Sequence, residues 1–132
     1  MKEESTKGKE LGLKEVQVGM GLFEFDVIFV VGEYLKMEEY VNWKFENKEF
    51  QHEHWDIGHE PRGSFFHRRG YVPVIWIPKK PRTPREHATL AHECLHAVFF
   101  LFEWANLPMG KDNEEVMTHA MAHLYANVLE KL

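Results

Sequence analysis

Cysteine is almost absent. Cys94 is the single one in 132 residues, so no internal disulfide can form, which suits a reducing compartment. Long apolar runs are also missing. The longest, "VIFVV" and "AVFFLF", fall well short of the roughly 20 residues that span a bilayer. The opening "MKEESTKGKELG" has no apolar stretch of the signal-peptide kind. Positive charge is not in excess. Lys+Arg number 16 against 21 Asp+Glu, for a net charge of −5, which argues against nucleic acid as the main partner. No internal repeat is visible. The expectation is a cytoplasmic protein with no membrane and no nucleic-acid partner.

Apolar and aromatic content is ample, at 44% and 14%, enough for a real core in one domain. Nine histidines in 132 residues point early to a metal site. Residues 1–20 are charged and glycine-containing and read as a flexible tail, with "LKEVQV" as a candidate short strand. Residues 21–132 read as the single folded domain.

"LFEFDVIFVV" (22–31) begins with alternation at Phe23 and Phe25 and becomes apolar on both faces, which predicts a strand entering a sheet interior. Tyr34, Met37, Val41 and Phe45 are at helical spacing, predicting a helix over 33–48. Residues 49–63 have no clear period and read as a loop. "SFFHRRGYVPVIWIP" (64–78) reads as two strands joined at "RRG". Pro73 lacks an amide hydrogen, which predicts that the second of these strands lies at a sheet edge.

"RTPREHATLAHECLHAVFFLFEWA" (82–105) is the strongest helix. Thr83 suits the N-cap, Pro84 the first helical position, and Glu86 completes a capping box. Leu90, Cys94, Leu95, Val98, Leu101 and Phe102 form a wide apolar arc, so the helix is expected to be buried on most sides. "NLPMGKD" breaks it, and Asp112 can cap a final helix over 113–131 with apolar Met117, Met121, Leu124, Tyr125 and Val128.

Within the strong helix stands "HECLH". His92 and His96 are four apart and project from one side. Two imidazoles on one face can chelate Zn2+, while Glu93, about 100° round the helix, is placed as a general base. This is the physical content of HExxH. The competing reading is an ordinary helix with two satisfied histidines. Cys94 lies about 200° from His92 and reads as a buried structural thiol.

Catalytic zinc usually takes three protein ligands. A metzincin pattern would need Gly and His where Phe99 and Phe102 stand. Glu103 is on the right face but about 10 Å along the axis, too far to share the ion. The third ligand is therefore expected from the final helix, which begins with Asn113, Glu114 and Glu115. Glu114 points nearer the centre of the apolar arc. Glu115 shares a stripe with Thr118 and Ala122, whose small side chains permit close helix approach, and it is favoured.

Eighteen residues separate His96 from Glu115. The pattern HExxH-x18-E resembles the gluzincin zinc peptidases over about residues 84–125. "PRTPREHATLAHECLHAVFF…DNEEVMTHAMAHL" is also similar to small metallopeptidases of phages and prophages. The resemblance implies an α+β fold, a minimal zincin-like domain in which a small, mostly antiparallel sheet packs on the HExxH helix and a following glutamate-bearing helix. It implies one Zn2+ held by His92, His96 and Glu115, Glu93 as general base, a peptide or protein substrate, and a bacterial cytoplasmic setting. Zincins place an edge strand beside the zinc, so Val72, Val74 and Trp76 are the expected substrate-binding positions. His119 is the first choice for an oxyanion donor, with His123, Tyr125, Tyr71 and His67 as others; for each alone, a packing or surface role competes. "HEHWDIGH" (52–59) is a second histidine cluster that reads mainly as solvated. Two other functions compete with peptidase activity. One is a non-catalytic zinc-binding structural or interaction protein. The other is a zinc hydrolase such as a nuclease, disfavoured by the acidic charge and the lack of a basic patch.

Overall fold

Alternation of buried residues along three neighbouring strands divides the molecule into layers. The structure is a computed structural model that describes residues 7–20, 25–57 and 60–132, with backbone pairing only for residues 52–57, 60 and 61. In chain order the elements are α1 (Lys7–Glu10), β1 (Lys14–Gly19), β2 (Asp26–Val31), α2 (Tyr34–Lys44), β3 (Gln51–Ile57), β4 (Glu60–His67), β5 (Val74–Ile77), α3 (Pro84–Trp104) and α4 (Glu114–Lys131). The strands form one mixed sheet in the order β1-β2-β5-β4-β3. Among the described residues only β2 and β5 pair in parallel; the other three pairings are antiparallel. The fold is α+β with a mostly antiparallel sheet, as expected.

Successive strand residues point to opposite faces, and each face has its own core. Val27 and Phe29 of β2, Phe65 of β4, and Ile75 and Ile77 of β5 pack with Leu90, Val98 and Leu101 of α3 and Leu124 and Val128 of α4. Ile28, Val30, Phe66, Val74 and Trp76 pack on the other face against Met37, Tyr40, Val41 and Phe45. The sheet is thus sandwiched between α2 and the α3–α4 pair. Each fully buried side chain of this size stabilises the fold by roughly 1.5–3 kcal/mol.

Four expectations are corrected. Residues 7–20 are not a tail: α1 lies there, and the candidate strand in "LKEVQV" is present as β1, which pairs with β2 from Lys14↔Val31 to Gly19↔Asp26. Residues 49–63 are not a loop: β3 and β4 form a hairpin, with a register shift at Trp55/Asp56 that breaks the period the sequence lacks. Phe23 and Glu24 of the predicted β2 entry lie outside the described residues.

The third correction bears on function. β5 is not an edge strand but sits between β2 and β4, with all four residues buried. Pro73 precedes the strand and joins β2 through its acceptor, its carbonyl accepting from the Ile28 amide at 3.0 Å. The doubly apolar run "VIWI" was the better guide to position. Val74 and Trp76 also face α2, away from α3, and the Trp76 indole donates to the Gly32 carbonyl at 2.9 Å. Val72 packs at the margin of the same core. The substrate-binding role expected of Val72, Val74 and Trp76 is withdrawn.

The fourth correction concerns α4. A 3-10 turn, Lys111–Asn113, precedes it, and Asn113 rather than Asp112 occupies the N-cap position. The Asn113 side chain donates to the Pro108 carbonyl at 2.7 Å instead of capping.

Candidate metal centre

The helix that carries "HECLH" starts as its sequence requires. The Thr83 hydroxyl accepts from the Glu86 amide at 3.2 Å, and the Glu86 carboxylate accepts from the Thr83 and Arg82 amides at 3.0 and 3.1 Å. Lys79 adds an ion pair to Glu86 at 2.9 Å. The lysine contact and the two amide bonds bring the Glu86 pKa down from 4.5 to about 2.

From that cap α3 runs along β4 in the same direction, and the contacts form a ladder. Thr89 and Glu93 lie over Gly63: a Cβ there would stand 2.9 Å from Thr89 Cγ2 and 3.1 Å from Glu93 Cγ. One step on, His96 stacks over Phe65, with centroids 6.1 Å apart and planes 14° apart. The next step brings Phe100 to His67 at 4.7 Å. Gly63 was not singled out from the sequence. A glycine inside a strand of large residues was the available signal, since it marks a close backbone approach.

On this scaffold the Nε2 atoms of His92 and His96 approach to 3.1 Å. Their donor atoms and a Glu93 carboxylate oxygen all lie within 4.8 Å of one another. Glu93 is completely buried, His92 is exposed and His96 is half-buried. Two nitrogens bound to one tetrahedral zinc are about 3.3 Å apart, from a Zn–N length near 2.0–2.1 Å. The convergence of the imidazoles therefore fits a single ion. Without one, the same contact is an N–H···N bond in which one ring donates and the other accepts.

Cys94 points into the core as expected, and burial, reinforced by the neighbouring Glu93 charge, pushes its thiol pKa strongly upward. Leu95, expected in the buried arc, is 37% exposed. It shares the solvent side of α3 with His92 and Phe99.

The glutamates of α4 stand apart from this donor group. Glu114 and Glu115 are both exposed, and neither belongs to it. His119 is exposed and stacks on His123 at 6.3 Å. The other oxyanion candidates separate clearly. Tyr71 packs on the α2 side of the sheet, and its hydroxyl donates to Glu46 at 2.9 Å and accepts from Lys48 at 3.1 Å, so it is withdrawn. Tyr125 is held by its hydroxyl against His87 Nδ1 at 2.9 Å. His67 remains on the α3 side, one ladder step beyond His96. The side chains of the 52–59 histidine cluster lie outside the described residues.

The His87–Tyr125 bond joins the first turn of α3 to the second half of α4, which fixes the two helices as antiparallel. His96 lies nine residues beyond His87, and Glu115 ten before Tyr125. At 1.5 Å per residue these are axial offsets of about 14 and 15 Å from the two bonded residues.

Comparison of the chain with protein-family models, with curated proteins and with solved structures finds no match. No helix among the described residues is long and apolar enough to cross a membrane.

Proposed function

We propose that this chain is a zinc-dependent peptidase of gluzincin type. The observation that carries the reading is the 3.1 Å convergence of His92 and His96 beside the buried Glu93 carboxylate, all on one capped helix. His92 and His96 would hold the ion through Nε2. Glu115, at a matching sequence offset on the antiparallel helix, is the proposed third ligand. Zinc at such a site supplies Lewis acidity and water acidified toward neutrality. Glu93 takes the proton from the attacking water and returns it to the leaving amine. Its buried position against Gly63 keeps the carboxylate in one place during that exchange. His119 is kept as a candidate donor to the developing oxyanion.

The sheet edge used by substrate moves from β5 to β3. Among the described residues the outer strands are β1 and β3, and β3 adjoins β4, over which α3 lies. A peptide adding to β3 by main-chain hydrogen bonds would run parallel to α3 and past the histidines.

One observation favours a second reading. Glu115 stands outside the donor group, which leaves the three-ligand set of a catalytic zinc incomplete and keeps a zinc-binding protein without turnover as the alternative. Metal content and turnover separate the two. Protein purified without added metal should carry one zinc per chain, lost in the His92→Ala, His96→Ala double variant, and should cut members of a peptide library in a chelator-sensitive way. Zinc without chelator-sensitive cleavage supports the non-catalytic reading; absence of stoichiometric zinc rejects both.

A further inference from the structure

We infer that the histidine-bearing face of α3 binds an extended polypeptide carrying an acidic residue and an aromatic residue about six positions apart, one on each side of the donor group. This rests on the peptidase reading for what happens to the chain once it is bound.

The inference starts from helical spacing. Arg85, Thr89, His92, His96, Phe100 and Glu103 follow one another at intervals of three or four, so they form a single stripe along α3. A cleft opens at each end of that stripe. The first, of about 390 Å³, is lined by Arg62, Lys79, Arg85 and Thr89 among others. The second, of about 680 Å³, is lined by Phe50, His67, Phe100 and Trp104 together with charged neighbours. The candidate donors lie between them.

The two clefts differ in chemistry. In the first, the one acidic wall residue, Glu86, is already engaged by Lys79 and by the cap amides. Arg62 and Arg85 have no ion-pair partner among the described residues. This cleft is therefore cationic, in a chain whose net charge is −5, and it selects a carboxylate. In the second cleft, Arg68 and Arg69 are matched by Glu49 and Glu103, and the Arg68 guanidinium donates to the Glu49 carbonyl. Charge gives no preference there. Ring faces do: Trp104 is 58% exposed, and Phe100 is braced by Phe65 and His67. An aromatic side chain is the complementary occupant.

The spacing follows from helix geometry. Thr89 and Phe100 are eleven residues apart, about 16 Å along α3. An extended chain covers that distance in about five residues at 3.3 Å each, and because its side chains alternate in direction, the even separation that reaches both clefts is about six. Such a chain, running beside β3, is parallel to the stripe. A nucleic acid is the less suitable occupant, because Glu49 and Glu103 would face its phosphates at the second cleft.

The test measures binding separately from turnover. Short fluorescein-labelled peptides place Glu and Phe, Lys and Phe, Glu and Ala, or Lys and Ala at this spacing, in both orders. Anisotropy titrations with the full chain, with zinc and with chelator, are expected to rank Glu/Phe tightest. Replacing Glu by Lys should weaken binding about fivefold, the scale of one exposed charge pair. Replacing Phe by Ala should weaken it about tenfold, the scale of one aromatic contact. Arg85→Glu should reverse the charge preference, and Trp104→Ala should remove the ring preference. Equal affinity for the four peptides, no binding of any, or tighter binding of a single-stranded oligonucleotide overturns the inference. Cleavage of the same peptides is scored separately. Ranked binding without cleavage supports this inference and counts against the peptidase reading; cleavage without ranking does the reverse.

Discussion

His92 Nε2 and His96 Nε2 lie 3.1 Å apart on consecutive turns of α3. The same distance serves a shared proton or a shared ion, and the two make different demands. A proton needs one ring as donor and one as acceptor; an ion needs both lone pairs. Zinc should therefore stabilise the fold by mass action, about 2.7 kcal/mol when free zinc is a hundredfold above Kd. A thermal melt should move upward with zinc and return with chelator. In His92→Ala the zinc-dependent shift should disappear, while the metal-free melting temperature changes little because His92 is exposed. An undiminished shift in that variant would place the ion elsewhere.

Glu93→Gln tests the base apart from the ligands. The amide fits the same buried space but cannot take a proton. Turnover should fall by about 10²–10⁴-fold, the usual worth of a general base, with zinc stoichiometry unchanged. Peptide hydrolysis at the original rate would reject Glu93 as the base.

Gly63→Ala tests the contact between helix and strand. The added methyl meets Thr89 Cγ2 and Glu93 Cγ at 2.9 and 3.1 Å, so α3 must lift or Glu93 must move. Overpacking of this kind costs about 1–3 kcal/mol. Chemical denaturation should show the loss, and turnover should fall further than a mere change in stability explains at temperatures where the variant is folded. A neutral substitution would mean that α3 tolerates displacement from β4.

Legibility of the sequence followed the reach of each interaction. The α3 cap, the HExxH face and the buried Cys94 were readable because they depend on residues three or four apart in one helix. At β5 the sequence gives opposed signals: Pro73 points to an edge and "VIWI" to an interior, and the interior is where β5 lies. A proline just before the strand does not bar an interior position, whereas two apolar faces require neighbours on both sides. The β3–β4 hairpin was missed because the shift at Trp55/Asp56 interrupts the period of two. The contact of Gly63 with Glu93 joins residues thirty apart and has no local pattern. Glu115 was chosen by stripe and spacing, which set its height on α4 but not the direction of its side chain.

The capping box gives a pH signature. Lys79 and the Thr83 and Arg82 amides lower the Glu86 pKa from 4.5 to about 2. A carboxylate with a depressed folded-state pKa contributes stability above its unfolded value, and the contribution is lost as pH falls through the folded value. The stability gap between the native chain and Glu86→Gln should therefore be constant above about pH 5 and close between about pH 4.5 and 2. Thr83→Ala removes the other half of the box and should cost about 1 kcal/mol at neutral pH. Urea titrations across the pH series read both effects. A gap independent of pH would mean that the carboxylate does not hold the helix start.

Cys94 reports on opening of the same helix. Its thiol is fully buried and its pKa is pushed far up, first by burial and then by the Glu93 charge. Thiolate, the reactive form, is then scarce in the folded protein. Alkylation under native conditions should be slow and should follow the rate or population of opened chains. Zinc, if held by His92 and His96 on the same helix, should slow it further in proportion to the stability it adds, and His96→Ala should abolish that protection. Rapid native alkylation, equal with and without zinc, would show that the ion does not secure α3 against the sheet.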